Sequence, residues 1–231
     1  MIVNTSDINP ALKSLFEHPE QTLFLDANIF IPPDRTNLGA KNHIPFSLYK
    51  DEFLIPIFEC FTGLAIHESV YNELVSDDIK NFAISKTKDN PISLKIYKDD
   101  MLDSTEKQVY ESYVTRMSKY SQYDPSIGIY KDRGEVLSLS YMVAKSFLYF
   151  AANDNLPINI VNNIGEFKAE LEEFHILQSY EIIYYLQKTG KYSSKSLKAL
   201  YKYMYRLTNK EQSQNPEWGM FISNMDQLYG K

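Results

Sequence analysis

Leu23-Phe24-Leu25-Asp26-Ala27-Asn28-Ile29-Phe30 is the stretch whose reading decides the fold. The three apolar residues before Asp26 have the length and composition of a buried strand, although periodicity alone leaves a helix open. An Asp at the carboxyl end of such a strand stands where open α/β sheets bind ligands. It can equally do no more than cap the segment that follows. The later residues that join Asp26 decide between the two.

Outward from this stretch, Gly63 to Ile66 reads as a second short strand. Phe147 to Ala151 reads as a third, ending in Asn153-Asp154-Asn155, and Phe174 to Leu177 as a fourth. A short helix is expected near Asn9-Pro10, where Pro suits the first turn. From Ser47 the positions Leu48, Leu54, Ile57, Phe58 and Phe61 fit a core-facing helix with a break at Pro56. His67 to Asp77 reads as a helix with Val70, Tyr71, Leu74 and Val75 on one side. Residues 34–46 read as loop and 78–103 as loop or short helix.

Asp103-x-x-Glu106 is a capping-box pattern that opens a helix. Asp124-Pro125-Ser126 to Gly128 is a break, and Asp132-Arg133-Gly134-Glu135 opens the next helix. Residues 156–174 fit neither period. A helix from Ser179 to about Lys188 stops at Gly190. A last helix runs from about Ser193 to Asn209, with Leu197, Leu200, Tyr201, Met204 and Leu207 as its buried stripe. Strands alternating with helices predict the α/β class.

Composition narrows the chemistry. A chain of 231 residues, 44% hydrophobic and 23% charged, can bury a full core and is an ordinary globular composition. The net charge of −6 argues against a uniformly basic coat for non-specific nucleic-acid binding. The single Cys60 forms no internal disulfide and no CxxC metal site, which fits a reducing, cytoplasmic setting. The first residues show neither a basic nor an apolar leader region, and no apolar run is long enough for a membrane span.

Four carboxylates stand out by position: Asp26 after the first strand, Glu73 in the helix after the second, Glu135 at a helix start, and Asp154 after the third strand. Oxygen ligands converging on one cleft suit a hard divalent cation, Mg²⁺ or Mn²⁺ rather than Zn²⁺. Each also has a plainer role. Glu135 with Asp132 makes an Asp-x-x-Glu capping box, Glu73 fits a solvated helix face, and Asp154 fits a turn between two Asn. Asn28 either caps the next segment or orients a ligand or substrate phosphate.

In this order the motifs resemble the PIN-domain family: Leu25-Asp26-Ala27-Asn28 at a strand end, Ser69-Val70-Tyr71-Asn72-Glu73-Leu74 in a helix, and Asp132-Arg133-Gly134-Glu135-Val136-Leu137-Ser138-Leu139 as the Gly-Glu helix start of one branch. Phe150-Ala151-Ala152-Asn153-Asp154 completes the set. The resemblance spans about residues 21–188, with a longer segment from Ile31 to Gly63 than compact members have and Asn153-Asp154 in place of paired acids. It implies a three-layer α/β/α fold around a mainly parallel sheet, as one domain over 1–231 with a helical insertion and a C-terminal helical extension at 191–231. It implies a Mg²⁺- or Mn²⁺-dependent endoribonuclease with Asp26, Glu73, Glu135 and Asp154 as metal ligands and catalytic residues, and Asn28, Asp132 and Asn153 in support. A toxin with a cognate antitoxin, a defence effector and a homodimer all fall within what the resemblance allows.

Lys191, Lys195, Lys198, Lys202 and Arg206 recur at helical spacing and offer a ridge for a phosphate backbone, with Tyr192, Tyr203 and Tyr205 nearby for stacking. A solvated charged face is the plainer reading. Two other functions compete. A catalytically silent RNA-binding or scaffold protein on the same fold is one. An aspartyl-nucleophile phosphatase of the haloacid-dehalogenase type is the other, and it needs an Asp where Asn28 stands. The four His are scattered in sequence, with no evident Ser/His/Asp arrangement.

Overall fold

The computed structural model describes residues 2–163, 165–167 and 171–230. In chain order the elements begin with α1 (Pro10–Glu17), β1 (Leu23–Leu25), α2 (Ala27–Phe30), α3 (Phe46–Tyr49), α4 (Ile55–Cys60) and β2 (Leu64–His67). There follow α5 (Glu68–Glu73), α6 (Asp77–Lys86), β3 (Lys95–Tyr97), α7 (Ser104–Ser118), β4 (Tyr123–Asp124) and β5 (Ile129–Tyr130). The rest are α8 (Arg133–Ala144), β6 (Tyr149–Ala151), α9 (Asn155–Asn163), β7 (His175–Leu177), α10 (Ser179–Thr189), α11 (Ser194–Tyr205), α12 (Asn209–Gln214) and α13 (Trp218–Tyr229).

The core is a five-stranded parallel sheet in the order β3-β2-β1-β6-β7, flanked by helices as the α/β/α class expects. β1 and β2 are buried at every residue, which is why they read as continuous apolar runs rather than alternating ones. Leu23, Phe24 and Leu25 stand level with Tyr149, Phe150 and Ala151 of β6. On one face, Phe24, Ala65 and Phe150 pack with Tyr110, Tyr113 and Met117 of α7 and Val136, Leu139 and Met142 of α8. α8 is buried almost all round, so its apolar residues show no single stripe. β3 is an edge strand whose Lys95 lies over the Tyr97 ring at 4.3 Å.

Chain contacts fall into two compact units. Residues 20–30 and 62–176 form one, which holds most of the sheet; residues 1–19, 31–61 and 177–231 form the other, which is helical. In the helical unit, Tyr201 stacks on Phe221 at 4.4 Å. The buried Arg35 guanidinium bonds Met204 O at 2.9 Å and pairs with Glu211.

Several local expectations change. The helix after β2 ends at Glu73, because Leu74 turns extended to keep its side chain buried, and Val75 is left 89% exposed. A new helix, α6, starts behind Ser76; its only fully buried side chains, Ile79 and Ala83, are too weak a stripe to read from sequence. The break near Pro56 is a wide π turn at Lys50–Leu54, and Leu48 is 52% exposed rather than core-facing. The last expected helix ends at Tyr205, with Leu207 beyond it and two further helices after. Among the described residues, no helix is long and apolar enough to cross a membrane.

Candidate metal centre

β1 has β2 on one side and the much later β6 on the other, so the strand order reverses at the β1–β6 pair. The carboxyl ends of strands at such a point leave a crevice. Asp26 is held there by its own amide, which donates to Ala151 O at 2.9 Å. Asp154 follows β6 on the opposite lip, and Glu135 enters from the first turn of α8. One carboxylate oxygen from each of the three lies within 4.8 Å of the others.

Asp26 is 2% exposed, and its Oδ1 has no hydrogen-bond partner. Burial, then the charges of Glu135 and Asp154, push its carboxyl well above the usual range, while the Ala27 amide pulls the other way. Glu135 is pushed up to about 7, by burial first and then by Glu73, Asp154 and Asp132. Asp26 and Glu135, both raised by burial and by neighbouring carboxylates, with one buried Asp26 oxygen unsatisfied, form with Asp154 a cluster short of positive charge. An all-oxygen donor set of this kind fits Mg²⁺ or Mn²⁺.

Glu73 is not in the set of three. Its Oε1 accepts the Gly134 amide at 2.7 Å, so α5 caps the start of α8 in trans. Burial raises the Glu73 carboxyl, and the Gly134 amide and the Arg133 charge act against that. The expected Asp132–Glu135 capping box does not form. Asp132 sits in the left-handed region at φ 62°, and its side chain accepts the Gln122 amide at 2.8 Å instead. Glu135 thus takes no part in a capping box with Asp132, and its carboxylate is held down only by its own backbone amide. Asn28 ties the two lips together: its Nδ2 donates to Asp154 Oδ2 at 2.9 Å, and its Oδ1 accepts the Asn153 amide at 3.1 Å.

Sequence reasoning missed a second cluster. Ser69 Oγ lies 2.8 Å from His67 Nδ1, and His67 Nε2 lies 3.0 Å from Asp99 Oδ1. The Ser69 amide also points at Nδ1, which assigns the ring proton to Nε2. Ser69 is too buried to act as a nucleophile, and both ring nitrogens are committed. Glu68, which completes a possible ligand trio here, accepts the Asp99 amide at 3.0 Å. This network braces the start of α5, and so the helix that carries Glu73. Nothing in the sequence signals it, because Asp99 opens a short 3-10 turn behind an unrecognised strand.

The basic ridge is only partly realised. Lys195, Lys198 and Lys202 are exposed on α11, whereas Lys191 precedes the helix beside Gly190. Arg206 ends α11 and spends its guanidinium on Asn215 O at 2.5 Å and Glu217 at 3.5 Å. Lys198, Lys202 and Arg206 line a cavity of about 260 Å³ together with Gln212, Glu217 and Trp218. No protein family, no curated protein and no solved structure was found to match this chain, so its functional reading rests on residues and geometry.

Proposed function

We propose that the protein is a Mg²⁺- or Mn²⁺-dependent nuclease of the PIN type that hydrolyses RNA phosphodiester bonds. The observation that carries this reading is the buried Asp26, with one oxygen unpartnered and its carboxylate within reach of Glu135 and Asp154, at the point where strand order reverses. A divalent cation bound there supplies Lewis acidity toward phosphate and water and neutralises the acids. Asp26, Glu135 and Asp154 are the residues to hold it. Glu73 positions Glu135 by fixing the start of α8, and Asn28 positions Asp154. The choice of RNA follows the motif resemblance.

The test is cleavage of an end-labelled RNA. Cleavage is expected to need Mn²⁺ or Mg²⁺, to stop in EDTA, and to leave 5′-phosphate and 3′-hydroxyl ends even when the 2′-OH at the cut site is removed. Cleavage that persists in EDTA and leaves 2′,3′-cyclic phosphate ends would overturn the reading.

The lysine face gives a separate prediction. Changing Lys195, Lys198 and Lys202 together to Gln should weaken RNA binding. The slope of log affinity against log salt should fall by about 0.7 per lost contact for a single strand. Unchanged affinity at low salt would mark these lysines as a solvated face.

A further inference from the structure

The chain has four arginines, and the guanidinium groups of three of them each hold a carboxylate and a backbone carbonyl. Arg35 holds Met204 O and Glu211, Arg116 holds both the backbone and the carboxylate of Glu166, and Arg206 holds Asn215 O and Glu217. The Arg133 guanidinium makes no hydrogen bond and no ion pair with any described residue, and its Nε is cut off from solvent. It opens α8, one residue before Gly134 and two before Glu135, and is half-buried. Glu73 and Asp99 both feel its charge, yet neither accepts a bond from it. Partly desolvating a guanidinium without a partner is costly, so its position calls for an anion.

The nearest ring is Tyr130, whose centroid lies 5.9 Å from the Arg133 Cζ. Tyr130 belongs to the two-stranded β4–β5 hairpin and is 58% exposed, with Ile129 beside it also open to solvent. A planar, unpaired guanidinium matches the paired oxygens of a phosphodiester. An exposed aromatic face next to it matches a nucleobase.

We propose that Arg133 and Tyr130 form a nucleotide subsite beside the acidic cluster, with Arg133 binding a phosphodiester next to the scissile one and Tyr130 stacking on the adjoining base. The proposal rests on the nuclease reading of the cluster and names how its substrate is held. It also accounts for how a polyanion approaches a group of carboxylates. The competing role for Arg133 is that of an internal counter-ion to Glu73 and Asp99.

The experiment measures two affinities on the full chain. Binding of a short fluorescein-labelled oligouridylate is followed by anisotropy in Ca²⁺, and Mn²⁺ binding without RNA is followed by electron paramagnetic resonance. Arg133→Gln should weaken RNA binding about tenfold and Arg133→Lys less, because Lys keeps the charge but not the fork. Mn²⁺ affinity should stay within about twofold, since Arg133 is no ligand to the cation. Tyr130→Ala should weaken the oligouridylate about tenfold and leave an abasic ribose-phosphate oligomer unaffected.

RNA affinity unchanged in Arg133→Gln, with Mn²⁺ bound more tightly, would establish the counter-ion role and overturn the subsite. So would a Tyr130→Ala effect that is equal for both oligomers. Wild-type protein that binds Mn²⁺ but no RNA would overturn the subsite and the nuclease reading together. EDTA-resistant cleavage, with RNA binding still sensitive to Arg133 and Tyr130, would overturn the metal reading alone.

Discussion

Asp26→Asn is expected to reduce cation-dependent RNA cleavage by about a thousandfold while making the cation-free protein more stable at neutral pH. The amide keeps the shape and removes a charge from the most buried acid of the cluster, whose Oδ1 has no partner to lose. The pH dependence follows from the same shifts. Asp26 and Glu135 have folded-state pKa values above their ordinary ones, Glu135 at about 7. Between the ordinary carboxylate range and about pH 7, the folded chain therefore binds more protons than the unfolded chain, and stability falls as pH rises.

Melting in EDTA should thus occur at a lower temperature at pH 8 than at pH 5, and Asp26→Asn should shrink that difference. Mn²⁺ should raise the wild-type melting temperature by binding only the folded state, and raise that of Asp26→Asn far less. A wild-type melting curve indifferent both to Mn²⁺ and to pH over this range would remove the physical basis of the site. So would full cleavage activity in Asp26→Asn.

Gly134→Ala is the second change with a large expected effect. A Cβ at this position would lie 2.8 Å from Glu73 Cδ and nearer still to its Oε2, closer than any real contact. The obstacle is the end of a flexible side chain, so the helix survives and Glu73 is displaced from the amide it caps. The loss of such a cap costs about 1 kcal/mol. The larger effect is on Glu135, one residue further on, whose placement depends on the start of α8. Cleavage should fall by about ten- to a hundredfold, as expected when supports of metal ligands are lost.

Glu73→Ala should have a similar effect alone, and the two changes together should cost little more than either. Partners in one contact are non-additive. Fully additive losses in a double-mutant cycle would show that the Glu73–Gly134 bond is not what positions Glu135.

The contrast between two Asp-x-x-Glu patterns shows where sequence stops being informative. Asp103 and Glu106 form the capping box their spacing predicts, with Asp103 accepting from the Thr105 and Glu106 amides and Glu106 accepting from Asp103. Asp132 and Glu135 have the same spacing and do not, because two partners distant in sequence intervene: Gln122 takes the Asp132 carboxylate, and Glu73 takes the Gly134 amide. Local pattern was enough for β1, for Asp26 at its end, and for the approach of Glu135 and Asp154.

Long-range competition is not legible in the sequence, so nothing in the local pattern shows that Glu73 Oε1 accepts the Gly134 amide. The freedom of Arg133 was hidden for the same reason, since an unpaired guanidinium is defined by what surrounds it. β3 escaped notice because an edge strand of three residues, with its Lys95 exposed, carries almost no hydrophobic signal.

The interleaving of the two units bears on the order in which the chain matures during translation. Every residue of the acidic cluster, its clamps and the β4–β5 hairpin lies between 26 and 154, within the unit that closes at residue 176. The helical unit gathers residues 1–19 and 31–61 but waits for residues 177–231. On a ribosome adding about 5–20 residues per second, the cluster's unit has its whole sequence available seconds before the helical unit does. The segment at 31–61 meanwhile exposes Phe53, Leu54 and Ile57, all fully buried in the finished protein. That interval is when a nascent chain of this design is most open to chaperones and to misassociation, and it ends only when α10 to α13 have been synthesised.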